Sequence, residues 1–162
     1  MTTTSLNELM KFLNSYPITV GRTADFGGTE NVGSNIVKDS LASGGITDYH
    51  MLDFDNGVDL RKPIKGEKFD LGICMDLLEH TTDPFLVARN IKNSLKKGAF
   101  LFVTVPFIWE VHLYPGDYWR FTQMGLEQLF LGMNLHHVYM VPDDAPGASV
   151  PRHRVVGVFS KK

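Results

Sequence analysis

The sequence predicts an α/β protein with a doubly wound, mostly parallel sheet, an antiparallel edge at its C-terminal end, and helices on both faces. Three observations carry this. Strand-length apolar runs alternate with stretches of helical period along the chain, the order of βα units. Two of those runs, FDLGICM at Phe69–Met75 and AFLFVTV at 99–105, are apolar almost throughout, as in strands buried on both faces. The last two runs, 135–141 and 154–160, are joined by a Pro/Gly-rich loop and suit an antiparallel pair.

In chain order, Leu6, Leu9, Met10 and Leu13 have helical spacing, and Ser5 with Glu8 forms a capping-box signature. Pro17 breaks that pattern, a strand over 18–26 runs into Gly27 and Gly28, and a helix is expected over 32–42. A second strand is expected over 46–54 and a very short third over 58–60, with no space for a helix between them. Phe69–Met75 is then the fourth strand. Asp83 caps a helix that starts at Pro84, where the missing N–H costs nothing, and turns Val87, Ala88, Ile91 and Leu95 inward. It is expected to stop at Gly98, after Lys96 and Lys97 at the negative end of its dipole. The fifth strand, 99–105, is closed by Pro106, and Thr122 caps a helix that ends near Gly132.

Length and charge narrow the function classes. The 162 residues suit one domain, 1–162, with a core of its own. A net charge of -2 with scattered lysines gives no footprint for a polyanion, so no nucleic-acid partner is expected. Cys74 is the only cysteine, which excludes an intrachain disulfide and suits a reducing compartment. The N-terminal residues lack a basic region followed by an apolar core, and no apolar run is long enough to span a bilayer. The expectation is a cytoplasmic protein with no membrane partner; oligomeric state is left open.

The turn after the first strand reads Asp25-Phe26-Gly27-Gly28-Thr29-Glu30-Asn31-Val32-Gly33. Glycines there let a ligand approach the backbone near a helix start, but Thr29 stands where a dinucleotide motif has its second glycine. Glu30 would also repel a pyrophosphate. A cationic ligand without phosphate is favoured, and S-adenosylmethionine, with an ammonium and a sulfonium, is one. Asp53, ending the second strand, stands where an acid accepts hydrogen bonds from ribose hydroxyls.

With these residues in view, the chain resembles class I S-adenosylmethionine-dependent methyltransferases of the methyltransferase-type-11-like group. ADFGG, YHMLDF, FDLGICMDLLEH and LKKGAFLFVTVPF carry the resemblance in order, and HLYPGDYWRFTQMGL resembles one branch of that group; together they span roughly residues 23–126. The resemblance implies a Rossmann-like fold and S-adenosylmethionine as cofactor. Asp25, Gly27 and Gly28 would shape the methionine end, with Glu30 in the same turn. Asp53 would hold the ribose, Asp59 and Leu60 would meet the adenine, and Met75 and Asp76 would line the far wall. The third glycine of the first motif and the helix between the second and third strands are departures from the group's pattern.

Methyl transfer needs mainly positioning, because the sulfonium is already activated; a base matters when the acceptor must lose a proton. His112, after the fifth strand, is the candidate base, while His80 suits a structural role with its ring bonded to backbone. Two readings of the aromatic segment stand. Trp109, Tyr118 and Arg120 line a site for a small-molecule acceptor, apolar or anionic, or else Trp119 and Phe121 are core and Asp117 pairs with Arg120. His136 and His137, as strand neighbours, should face opposite ways, one packed and one solvated. Arg152, His153 and Arg154 read as solvated charge. The leading reading is a small-molecule methyltransferase. A non-catalytic binding or scaffolding module is the alternative, and a nicotinamide-dependent oxidoreductase is disfavoured by Glu30 and the glycine spacing.

Overall fold

A computed structural model of the chain describes residues 2–18, 21–29, 32–112, 116–143 and 151–162. The helices are α1 (Thr3–Ser15), α2 (Val32–Ser43), α3 (Pro84–Ser94) and α4 (Gln123–Leu129). The strands are β1 (Thr23–Phe26), β2 (Tyr49–Leu52), β3 (Phe69–Met75), β4 (Leu95–Ile108), β5 (Asn134–Pro142) and β6 (His153–Ser160). They form one sheet in the order β2-β1-β3-β4-β6-β5. The pairs β1·β2, β1·β3 and β3·β4 are parallel, and β6 runs antiparallel to both β4 and β5. The chain leaves β1 for β2 on one side and returns to β3 on the other, so a crevice opens at the carboxyl ends of β1 and β3.

Side-chain alternation along the strands builds two cores. From β4, Leu101 and Val103 face one side with Phe26, Ile91, Leu126 and Phe159. Phe102 faces the other, with Leu9, Phe12, Leu41, Ile73 and Val158. The sheet is therefore covered on both faces. Among the described residues, no helix is long and apolar enough to cross a membrane.

Several elements differ from the expectation, each for a local reason. The cap of α1 is Thr2, whose side chain accepts from the Ser5 amide at 3.2 Å. Ser5 is drawn inward instead, its hydroxyl 3.5 Å from that of Thr104. The first two strands are shorter than 18–26 and 46–54, and 58–60 pairs with nothing as a strand. There Asp59 folds back on Arg61, accepting from its backbone amide at 3.1 Å and its Nε at 2.9 Å. Helix α3 stops at Ser94, where Leu95 turns extended, and Lys96 reaches Asp70 at 2.8 Å instead of the helix end. Pro106 does not close its strand: β4 continues to Ile108 past an irregularity that absorbs the missing N–H. A similar irregularity between Leu135 and His137 upsets the alternation of β5. Both histidines are exposed, and both rings lie against Tyr16, at 5.6 and 6.3 Å.

The largest departure is Arg154, which is not solvated charge but 1% exposed. Its Nε donates to Asp143 at 2.6 Å, and its Nη1 donates to Asp76 at 2.5 Å and to the Thr104 hydroxyl at 3.4 Å. Thr2 donates to the same Asp143 carboxylate at 2.9 Å, so the start of α1 joins the cluster. Removing one member of a buried ion pair strands the other charge. Arg154→Met should therefore lower unfolding stability by about 3–5 kcal/mol, read by thermal or urea denaturation. A loss below about 1 kcal/mol would show that the cluster contributes little.

Candidate functional site

The crevice holds a cavity of about 650 Å³. Its walls come from the strand ends and the loops after them: Gly27 after β1, Asp53 and Phe54 after β2, Asp76 and Leu77 after β3. Asp59 and Leu60 close one side, and His80, Thr81 and Tyr118 the other.

The glycine turn is tight because of what lies beneath it. Gly27 has φ +86°, and its amide donates to the Leu52 carbonyl at 2.8 Å. A Cβ on Gly28 would lie 2.3 Å from an Asp25 carboxylate oxygen, so only glycine fits. Asp25 itself does not line the cavity. It is 3% exposed and accepts from the Tyr49 hydroxyl. Burial pushes its pKa up to about 6; the Tyr49 bond opposes that, and the nearby Asp53 adds to it. Gly28 and Met75 also stay outside the lining, Met75 packing on the opposite core, and Glu30 falls outside the described residues.

Asp53 caps the short turn Phe54–Asn56, accepting from the Asp55 amide at 3.0 Å, with the carboxylate at the cavity wall. Asp76 is held in a left-handed conformation, φ +54°, which is unfavourable for a residue with a Cβ. Arg154 and the Thr104 hydroxyl, 2.5 and 3.3 Å from its Oδ1, hold it there. The next turn, Leu78–His80, buries Glu79 to 1% exposure. Among the described residues its Oε2 has no hydrogen-bond partner. Burial first, and the Asp76 charge second, hold its pKa well above the usual carboxylate range.

The segment after β4 is stapled to that turn. The Tyr118 amide donates to the Glu79 carbonyl at 2.8 Å, and the Trp119 indole N–H to the Thr81 carbonyl at 2.9 Å. His80 Nδ1 meets the Gly116 carbonyl, and its Nε2 is 3.3 Å from Nε2 of His112. His112 is thus one ring back from the cavity, which His80 lines. Asp117 accepts from both terminal nitrogens of Arg120, at 2.7 Å for Nη2. Arg120 holds the Asp117 carboxyl low, at about 2. Trp119 is half-exposed rather than core, whereas Phe121 is buried. Trp109 lies under the guanidinium groups of Arg152 and Arg154, at 4.5 and 5.3 Å. With Phe107, Val111, Tyr118, Trp119 and Arg120 it lines a second, open groove of about 450 Å³. Tyr118 borders both spaces.

The structure therefore gathers Gly27, Asp53, Asp59, Leu60, Asp76 and Tyr118 around one cavity, and places Trp109 and Arg120 in the groove beside it. Phe54 and Thr81 were not legible in the sequence, and neither was Arg154. The one available signal for Arg154 is its place at the head of an apolar strand, VVGVF, where a charge must find a partner.

No protein-family model matches the chain. A ubiquinone biosynthesis O-methyltransferase from Actinobacillus pleuropneumoniae serotype 7 (strain AP76) is 34% identical over 65 residues, covering 40% of this chain and 28% of that protein. The match thus spans well under a third of that relative's length. Among solved structures, the N-methyltransferase NodS from Bradyrhizobium japonicum WM9, in complex with S-adenosyl-L-homocysteine, superposes with a TM-score of 0.64 at 12% identity. The alignment covers 98% of this chain and 85% of that one. The [4+2]-cyclase SpnF aligns with a TM-score of 0.62 at 15% identity, over 96% of this chain and 81% of that one. The chain has the class I methyltransferase fold.

The buried Asp25 yields a pH dependence. Folded, this carboxyl keeps its proton up to about pH 6, against 3.8 for an ordinary aspartate, so the folded state binds more protons between those values. Its contribution to stability is therefore present at the acid end and lost as pH rises through that window. Relative to Asp25→Asn, the native chain should lose up to about 3 kcal/mol between about pH 4 and about pH 6.5, read by urea unfolding. A difference that does not change with pH would show that Asp25 ionises normally.

Proposed function

We propose that the chain is an S-adenosylmethionine-dependent methyltransferase acting on a small-molecule acceptor. One observation carries the reading: four aspartates, Asp53, Asp55, Asp59 and Asp76, line the cavity, and although Arg61 is tied to Asp59 and Arg154 to Asp76, the lining keeps a net negative charge. An acidic cavity disfavours a pyrophosphate and favours a ligand that bears an ammonium and a sulfonium. The fold and the O-methyltransferase relative point the same way, and NodS holds the demethylated cofactor on this fold.

Asp53 would accept the ribose hydroxyls, and Asp59, Leu60 and the exposed Phe54 would border the adenine. Gly27 would give the methionine end its close approach. Asp25 and Gly28 would shape the turn from beneath, and Met75 would back Asp76. The cofactor supplies a methyl group already activated on sulfur; the protein orders the partners and excludes water. The groove between Trp109 and Tyr118 would hold the acceptor. Arg120 is bound on both nitrogens by Asp117, so it offers no free guanidinium, and a neutral, apolar acceptor fits better than an anion. The relative's O-methyltransferase activity favours a hydroxyl on that acceptor. His112, one ring from the cavity, is the candidate base. The scaffold alternative rests on the altered glycine turn and on the missing helix after the second strand, where the structure has only the short turn Phe54–Asn56. Gly27 and Gly28 nonetheless form that turn, and the fold shared with methyltransferases favours the catalytic reading over the alternative.

Titration calorimetry should show S-adenosylhomocysteine binding to the purified protein, with Asp53→Asn weakening it roughly ten-fold or more, the scale of a lost charged hydrogen bond. Transfer of labelled methyl to at least one of catechol, 4-alkylphenols or a primary alkylamine should follow. No binding at millimolar ligand, or binding of NAD alone, would overturn the reading.

A further inference from the structure

The facing rings of His80 and His112 impose a proton count. His80 Nδ1 meets the Gly116 carbonyl, which only accepts, so that nitrogen carries hydrogen. His112 Nδ1 has Asp117 Oδ2 at 3.2 Å and the Glu110 carbonyl at 3.4 Å, again acceptors, so it carries hydrogen too. Were both rings neutral, their two Nε2 atoms would present lone pairs to each other. Yet those atoms are 3.3 Å apart, with the rings edge-on at 88°. A hydrogen bond at that distance needs one proton between them.

We infer that His80 and His112 act as one proton-holding unit, one shared proton for two rings, with Asp117 as its counter-ion. The charged and titratable groups around it agree. Asp117 stays ionised because Arg120 holds both its oxygens. Glu79 Oε1 is 3.6 Å from His80 Nε2, but burial raises the pKa of that carboxyl to about 8, so it adds a competing charge only at the alkaline end of the titration. Asp76, on the same cavity wall, is matched by Arg154.

This unit deepens the methyl-transfer reading, on which its catalytic use rests. As the acceptor oxygen forms its bond to the methyl carbon, the S–CH₃ bond breaks with its electron pair going to sulfur, and the O–H proton must leave. In its neutral form the unit has one lone pair in excess, and taking up that proton restores the shared arrangement. His80 lines the cavity and is 16% exposed at its side chain, against 39% for His112, so an acceptor hydroxyl reaching from the groove past Tyr118 to the methyl group in the cavity would give its proton to the inner ring, and the outer ring would pass it to solvent.

The test is ring-nitrogen NMR of ¹⁵N-histidine-labelled full chain, titrated from about pH 9 to about pH 5, with and without S-adenosylhomocysteine. The expected result is a plateau at one proton per two rings, with both Nδ1 protonated and both Nε2 moving together. In His112→Asn the plateau should vanish and His80 should titrate alone, while circular dichroism confirms the fold. For whichever phenol is methylated, kcat should fall as the unit gains its proton, and His112→Asn should change the shape of that pH profile rather than its height alone. Two independent titrations, or neutral rings carrying hydrogen on Nε2, would overturn the inference even if S-adenosylhomocysteine binds. A plateau without cofactor binding would leave the unit standing and sink the methyltransferase reading.

Discussion

The guanidinium of Arg154 lies between two carboxylates that the chain brings from distant places, Asp143 after β5 and Asp76 after β3. Much of the site depends on that bridge. Asp76 occupies a left-handed backbone conformation, which aspartate tolerates better than most residues, and its carboxylate is fixed by hydrogen bonds from Arg154 and Thr104. Since Asp76 begins the turn that carries Leu77 and His80 to the cavity, a β6 residue sets the position of a wall built after β3. The antiparallel edge of the sheet, remote from the glycine turn, thereby takes part in the site.

The second dependence runs through the segment after β4. Tyr118 and Trp119 are fastened by backbone carbonyls of Glu79 and Thr81, and the two imidazoles add a third link. Tyr118 thereby borders both the acidic cavity and the largely aromatic groove. Chemistry that joins a cationic cofactor to an apolar acceptor needs such a border, because each partner prefers surroundings that the other does not.

The parts of the fold that were legible in the sequence are those fixed by local rules. Phe69–Met75 is apolar but for Asp70 and is a central strand to the residue; Asp83 and Pro84 start a helix, and Thr122 caps another, accepting from the Gly125 amide. Gly27, Asp53 and Asp76 stand at strand ends, where position alone marks them. What failed depended on long-range partners. Arg154 reads as surface charge until Asp76 and Asp143 are known to flank it, and Ser5 reads as a cap until Thr104 is seen beside it. The segment 58–60 is too short for its apolar residues to compete with the Asp59–Arg61 turn. The pairing of His80 with His112 joins residues 32 positions apart across the sheet's edge, a distance no local pattern spans.

With Asp53 on the ribose and Leu60 at the adenine, as proposed, the cofactor sulfur falls toward the wall made by Asp76 and His80, across the cavity from Asp59. A crystal structure of the chain with S-adenosylhomocysteine tests this placement most directly. The account predicts ribose hydroxyls on Asp53, adenine against Leu60 and Phe54, and the thioether facing the Asp76–His80 wall beside Tyr118. A ligand bound elsewhere, or in this cavity with its sulfur turned toward the Asp59 side, would contradict it.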